Sequence, residues 1–162
     1  MGPLTRLLGG SGRLPDRLRA AITGEQVAVL AEGLPGSVTY RETRAPEPGS
    51  APHREHTQHG ERGGRSESVT GAIAVTDRTL LVWAGGVTHV DVRHHDPLRR
   101  AGVSLSADRP GQILIRYVAG REHVRPAAGR GKTAGPGQTI EVRLRTPQAP
   151  AIARAYRDLA AR

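Results

Sequence analysis

Two short apolar runs joined by a polar connection constrain the fold more than any other stretch of the chain. Residues 71–83 read G-A-I-A-V-T-D-R-T-L-L-V-W, so apolar side chains lie on either side of Thr-Asp-Arg-Thr. Both runs are too short for a typical helix, whereas two such runs around a short Asp-containing connection are typical of a β-hairpin. We therefore predict that residues 71–83 form the central hairpin of a small β-rich domain.

Further segments rich in Val, Ile and Leu recur on both sides of this hairpin. The sequence G-L-P-G at 33–36 is expected to end the first of them, before a short edge strand. Gly and Pro at 85–86 and 108–111 predict further turns. The strands predicted outside the hairpin span residues 25–32, 37–41, 87–92, 98–106, 112–118 and 139–145. In the last of them the alternation predicts that Ile140, Val142 and Leu144 point inward, and the outward residues are Glu141, Arg143 and Arg145.

Amphipathic spacing predicts one helix at each end of the domain. Residues 14–22 carry Leu or Ile at every fourth position, and residues 152–159 carry an apolar stripe at i, i+4 and i+7. Pro150 places the regular part of the second helix from about Ala149 onwards. We predict a mainly β fold, a partly open antiparallel barrel of about seven strands capped by a C-terminal helix, plus a short N-terminal helix.

The domain organisation follows from the same pattern. Residues 1–23 are predicted to be a helical lead-in, and residues 24–162 a single domain. Residues 44–66 lack any large aliphatic side chain and are dense in Pro, Gly, His, Glu and Arg, so we predict a disordered insertion there. Residues 119–137 are predicted to be a second, flexible and basic loop.

The composition excludes several classes of protein. There is no cysteine, which excludes disulfides and thiolate metal sites. Residues 1–22 lack a continuous apolar core and carry several arginines, so they are not typical of a secretory signal. No apolar run approaches the roughly 18–20 residues that cross a bilayer. We expect a cytoplasmic protein, with peripheral attachment to a membrane as an open alternative.

The net charge of +9 comes almost entirely from arginine, since Lys132 is the single lysine. One explanation is a polyanionic partner, either nucleic acid or acidic lipid headgroups. The other explanation is compositional, because a chain rich in Arg, Ala, Gly and Pro is typical of a GC-rich genome. We prefer the compositional explanation.

Three histidines spaced three residues apart are the candidate metal ligands. On a helix His53, His56 and His59 would share one face and could hold zinc or nickel at about 2.0–2.1 Å. The surrounding Pro and Gly disfavour a helix, and no packed shell is expected to orient the rings. We therefore favour a solvated loop and predict no metal and no cofactor.

Basic residues on or between neighbouring strands are the candidates for binding an anion or a partner. Stacking aromatics, which nucleic-acid modules usually place between basic residues, are nearly absent, so sequence-specific binding is not predicted. The candidates are Arg99, Arg100, Arg116, Arg121, Arg125, Arg130 and Lys132.

Two motifs resemble parts of enzyme active sites, but each lacks a component that the chemistry requires. Residues 129–133 contain G-K-T, but A-G-P-G follows, where a phosphate-binding loop needs a helix. Residues 94–96 read H-H-D, yet no nucleophile such as Ser104 or Ser106 is placed beside them by the sequence. We interpret residues 94–96 as a polar turn and predict that the chain is not an enzyme.

Several of these segments resemble, in order, the bacterial pleckstrin-homology-like domains. G-E-Q-V-A-V-L-A-E at 24–32 and the hairpin at 71–83 resemble the family's first strand and its T-D-R-x-L hairpin. V-D-V at 90–92, the hairpin at 104–117 and E-V-R-L-R-T at 141–146 follow in the same order. The resemblance covers about residues 24–162, interrupted by the insertion.

This resemblance implies a partly opened seven-stranded barrel with a helical cap. It also implies a binding or scaffold module that docks protein partners or associates with itself, sometimes at membranes, without catalysis. The alternative function is a peripheral binder of acidic lipid headgroups or nucleic acid through an arginine-rich surface. Neither function involves a small-molecule substrate.

Overall fold

The computed structural model describes residues 12–41, 65–119 and 138–162 of the chain. Seven strands and three helices lie in these ranges. In chain order they are α1 (Asp16–Ala21), β1 (Val27–Arg41), β2 (Arg65–Thr76), β3 (Thr79–Ala84), β4 (Val87–Arg93), α2 (Pro97–Arg100), β5 (Val103–Arg109), β6 (Gln112–Val118), β7 (Thr139–Arg145) and α3 (Ala149–Ala160).

The strands form one antiparallel sheet in the order β4-β3-β2-β1-β7-β6-β5. Strand β1 joins a β2–β4 half of the sheet to a β5–β7 half, because it pairs with both β2 and β7. Strands β4 and β5 each pair on one side, so the sheet curls into a half-barrel that is open between them. We call this opening the seam. The predicted mainly β, partly open barrel with a C-terminal helix and a short N-terminal helix is confirmed.

Strand β1 is continuous, and the predicted break at 33–36 is wrong. The register with β2 shifts between Ala31 and Leu34, and Gly33 has a φ of +69°. At Gly36 a Cβ would lie 1.9 Å from the carbonyl oxygen of Arg143. Glycine therefore lets the strand bend and approach β7 instead of ending it. The predicted edge strand at 37–41 is also wrong, since it pairs with β2 on one side and β7 on the other.

Other boundaries differ by a few residues. The strand predicted from residue 98 begins at Val103, because α2 occupies its start and Asp96 accepts a bond from the Arg99 N–H at 3.3 Å. Strand β2 begins at Arg65, inside the predicted insertion. Apart from residues 65, 66 and 119, the predicted insertion and the predicted loop at 119–137 lie outside the described residues, as do residues 1–11 of the lead-in.

The inside of the half-barrel is filled by aliphatic side chains from both halves of the sheet and from α3. The burial of Ile152, Tyr156 and Leu159 confirms the predicted apolar stripe. One polar pair also lies inside, where Nδ1 of His89 is 2.8 Å from the hydroxyl of Tyr117. The largest fully buried side chains of the interior are Ile73, Leu80, Ile113, Ile115, Ile140, Leu144 and Ile152.

The two halves of the sheet differ on their outer faces. Helix α1 lies on the β2–β4 half, where small residues leave room for it, and a separate apolar cluster forms between them. This cluster consists of Leu14, Leu18, Ile22, Ala72, Ala74 and Leu81. The outer face of the β5–β7 half carries mostly polar side chains, with Leu114 and Val118 of β6 as its apolar residues. Its outward residues on β7 are the predicted ones: Glu141, Arg143 and Arg145 alternate with buried Ile140, Val142 and Leu144.

Candidate functional site: an arginine face and a buried polar cluster

The predicted site residues fall into two groups. The candidate metal ligands and four of the basic candidates lie outside the described residues: His53, His56, His59, Arg121, Arg125, Arg130 and Lys132. Arg99, Arg100 and Arg116 are described. Within residues 12–41, 65–119 and 138–162, no three His, Asp or Glu side chains form a group that could hold a metal ion.

The three described arginines have different partners. Arg99 pairs with Asp96 in its own short helix at 3.3 Å. The positive charge of Arg100 acts on the side chains of His94 and Tyr156, next to the seam. Arg116 lies on the outer face of β6 and pairs with a carboxylate on β7. Because the three arginines have different partners, they do not form one basic site.

The carboxylate that binds Arg116 is the centre of a larger network. Glu141 is 3% exposed, and its side chain contacts guanidinium groups from three strands. Arg116 binds Oε1 at 2.9 Å, while Arg41 and Arg143 approach Oε2 at 3.5 Å. Arg143 also pairs with Asp108 of β5. The side chains of four neighbouring strands are thereby held in one network.

The strand register explains why these residues meet. Thr39 of β1 and Arg116 of β6 both lie opposite Glu141, on either side of it. Because alternate residues of a strand point to the same face, Arg41 and Arg143 lie on that face too. We call this surface the arginine face and define it by Arg41, Asp108, Arg116, Glu141, Arg143 and Arg145.

The arginine face has an excess of positive charge and a hydroxyl-rich border. Its four arginines outnumber its two carboxylates, and the side chains of Arg41 and Arg116 are 61% and 50% exposed. Each guanidinium has five N–H donors, so donors remain for a ligand after the ion pairs have formed. Serines and threonines in the same sheet positions include Ser37, Thr39, Ser66, Ser68, Ser104, Ser106 and Thr139.

A second polar cluster lies at the β2–β3 connection, around Glu25. The hydroxyls of Thr76 and Thr79 donate to the two Glu25 carboxylate oxygens at 2.6 and 3.1 Å. The Arg93 guanidinium lies 3.6 Å from the same carboxylate, whose side chain is 7% exposed. Glu25 therefore joins the chain that enters β1 to the β2–β3 hairpin.

The hairpin turn itself is organised by Thr76. Its hydroxyl oxygen accepts bonds from the backbone N–H groups of Arg78 and Thr79, at 3.0 and 2.7 Å. The neighbouring Asp77 carboxylate accepts from the Gln26 N–H at 2.9 Å. Asp77 thus fixes the chain that enters β1, and Thr76 fixes the turn.

His94 lies beside this cluster, next to the seam. Its backbone N–H donates to the carbonyl oxygen of Arg78 at 2.7 Å, and its ring is 5.9 Å from the ring of Tyr156 in α3. The side chain is buried, and neither ring nitrogen has a hydrogen-bond partner among the described residues. Neither Ser104 nor Ser106 is therefore hydrogen-bonded to it as a nucleophile would be to its base.

Sequence analysis missed Glu25, His94 and most of the arginine face as site residues. The alternating pattern of β7 indicated that Glu141 and Arg143 point outward, and this was the one sequence signal for the arginine face. The convergence of Arg41 and Arg116 on Glu141 depends on strand register. The burial of His94 depends on α3 folding back over the seam.

Comparisons with known proteins give no relative: no family model, no curated protein and no solved structure matches the chain. No helix among the described residues has the length and apolarity needed to cross a membrane.

Proposed function

We propose that the chain is a non-enzymatic binding module of the pleckstrin-homology-like type, which docks protein partners or copies of itself. The observation that carries the proposal is the arginine face, where side chains of four strands are ordered by one buried carboxylate. Side chains that are ordered before binding lose less conformational entropy in a complex. Arginine is also among the residues enriched in the energetically dominant parts of protein interfaces.

The charge of the arginine face favours a protein partner over a second copy of the same face. A symmetric pairing would place the four arginines of one copy against those of the other, and like charges across an interface oppose association. A partner with exposed carboxylates would meet the N–H donors that the network leaves free. Self-association would use a different surface, such as the unpaired edges of β4 and β5.

The experiment uses two charge reversals of the tagged full chain. Arg145→Glu changes an exposed residue of the arginine face that has no part in the ion pairs of Glu141, and Arg157→Glu is the matched control on the exposed side of α3. We expect proteins retained by the wild type and by Arg157→Glu to be lost with Arg145→Glu. Light scattering over a range of concentrations measures self-association of the wild type and the two variants. If the wild type and both variants retain the same partner proteins equally, docking through the arginine face is contradicted.

A second candidate function is peripheral binding to acidic lipid or nucleic acid, and the excess of arginine on the same face favours it. Binding to polyanions releases counterions, so affinity falls steeply between about 50 and 200 mM salt. Co-sedimentation with phosphatidylserine vesicles and with duplex DNA at both salt concentrations tests this candidate. Retention that is insensitive to salt, with phosphatidylcholine vesicles equal to phosphatidylserine vesicles, would contradict it.

A further inference from the structure

His94 occupies a position that is unusual for an ionisable side chain. It follows the last residue of β4, its backbone N–H donates to the carbonyl oxygen of Arg78, and the residue is 8% exposed. Neither ring nitrogen forms a hydrogen bond with any described residue. Buried polar groups are hydrogen-bonded in the great majority of proteins, so an unpaired buried imidazole needs an explanation.

The groups around His94 come from four elements. Tyr156 of α3 packs against the ring at 5.9 Å between centroids. Arg100 of α2 contributes a positive charge, and Glu25, which precedes β1, contributes a negative one. From the β2–β3 connection Arg78 offers its carbonyl oxygen to the His94 backbone, while its guanidinium lies 3.8 Å from Asp77.

Glu25 is the one carboxylate in this set that could stabilise a protonated His94, and it is already engaged. Two threonine hydroxyls donate to it, and Arg93 lies within ion-pair distance. Burial lowers the pKa of His94 below its ordinary value, the charge of Arg100 lowers it further, and Glu25 opposes both effects without cancelling them. The imidazole is therefore held in its neutral form.

The same ring supports the closure of the seam by α3. Tyr156 contacts His94 at the end of β4, and its hydroxyl donates to the carbonyl oxygen of Val103 at the start of β5, at 3.4 Å. One tyrosine of α3 thus contacts both strands that border the opening. An imidazolium at position 94 would have to reach water, and the Tyr156 ring covers it on the side of α3.

We propose that His94 makes this closure acid-sensitive, so that its protonation moves the ring into water and releases α3 from the seam. Opening would uncover Ile152 and Leu159 of α3 and the aliphatic interior on which they pack. The device is independent of the arginine face and of any partner. It links the pH of the surroundings to access to the inside of the half-barrel.

The direction of the pH effect follows from linkage. The pKa of His94 is lowered in the closed state, so the open state binds more protons. The closed state is therefore fully favoured above the ordinary histidine pKa of about 6.5 and loses stability relative to the open state as the pH falls below that value. One proton changes the opening equilibrium by at most about tenfold per pH unit.

Hydrogen–deuterium exchange of the α3 amides in the full-length chain tests the proposal. After correction for the pH dependence of intrinsic exchange, we expect the opening of α3 to increase up to about tenfold from pH 7.5 to 5.5. The amides of α1 are the internal reference. His94→Leu should abolish the increase, whereas His95→Gln, which changes the exposed neighbour, should retain it.

Two further measurements separate titration from packing. Tyr156→Phe removes the hydroxyl bond to Val103, so it should raise α3 exchange at both pH values and leave their ratio unchanged. An NMR titration of the wild type should show the His94 ring and the α3 amides changing with one midpoint. An α3 exchange ratio of one in the wild type, or an increase that persists in His94→Leu, overturns the proposal.

Discussion

Replacing Glu141 by Gln tests whether the arginine network stabilises the fold. The change keeps the shape of the side chain and removes the charge on which Arg41, Arg116 and Arg143 converge. The Glu141 side chain is buried and has little access to water, so its ion pairs are weakly screened. The three guanidiniums would then remain together on one face without their shared counter-charge.

The expected loss can be estimated from the burial of the partners. Breaking a fully buried ion pair from one side costs about 3–5 kcal/mol, and a hydrogen bond to a charged group contributes about 1.5–3 kcal/mol. The arginine side chains are 28% to 61% exposed and can regain water, which reduces the loss. We therefore expect Glu141→Gln to lower the free energy of unfolding by about 2–4 kcal/mol. At roughly 2–4 °C per kcal/mol for a chain of this size, the melting temperature falls by roughly 4–16 °C.

Urea unfolding followed by circular dichroism measures this loss, and Glu67→Gln is the matched control. Glu67 lies on β2, its side chain is 43% exposed, and it pairs with Arg65 at 3.1 Å. A surface pair of this kind contributes about 0–1 kcal/mol, and added salt should reduce its effect. If Glu141→Gln costs no more than Glu67→Gln, and salt removes both effects, then the arginine network is a set of surface ion pairs and our argument from burial is wrong.

Three other changes test the parts of the fold that position these groups. Gly36→Ala should cost at least about 2 kcal/mol in urea unfolding, because its Cβ would meet the carbonyl oxygen of Arg143, whereas Gly102→Ala, with open space around it, should stay within about 0.5 kcal/mol. Thr76→Val removes the acceptor for two turn N–H groups and a donor to the Glu25 carboxylate, so it should lower the free energy of unfolding by about 1–3 kcal/mol and raise amide exchange in the β2–β3 hairpin. Ile152→Ala empties a fully buried position of α3 and should cost about 2–5 kcal/mol, measured as a lower thermal midpoint; an unchanged midpoint would mean that α3 contributes little to the barrel.

Local pattern predicted the strands whose two faces differ in polarity. Strands β6 and β7 begin and end at the predicted residues, because one face of each is buried and a shift by one residue would expose it. Strand β1 was predicted as two pieces because Gly33 and Gly36 are common signals of a turn. In the folded chain the same glycines permit a bend and a close approach to β7, and a single sequence does not distinguish these uses of glycine.

The two candidate sites were less predictable because they depend on contacts between distant residues. Glu141 was predicted to point outward, which is correct, yet its burial results from arginines on β1 and β6 that reach across the sheet. His94 was predicted to lie in a polar turn. Its burial results from Tyr156, which is brought to it by the docking of α3.

The distribution of apolar residues determines how this chain can bind a partner. On the β2–β4 half, small residues such as Ala72 and Ala74 accept α1, so the apolar outer surface there is already covered. On the β5–β7 half, most outward positions carry polar or charged side chains, and the outward apolar residues are the buried Leu114 and the exposed Val118. Binding through that half must therefore rely on hydrogen bonds and charge more than on apolar burial. If so, Glu141→Gln should weaken docking even at a temperature where the variant is fully folded, because it releases the arginines from their ordered positions. Full binding by a folded Glu141→Gln variant would mean that the order of the arginine face contributes to stability alone.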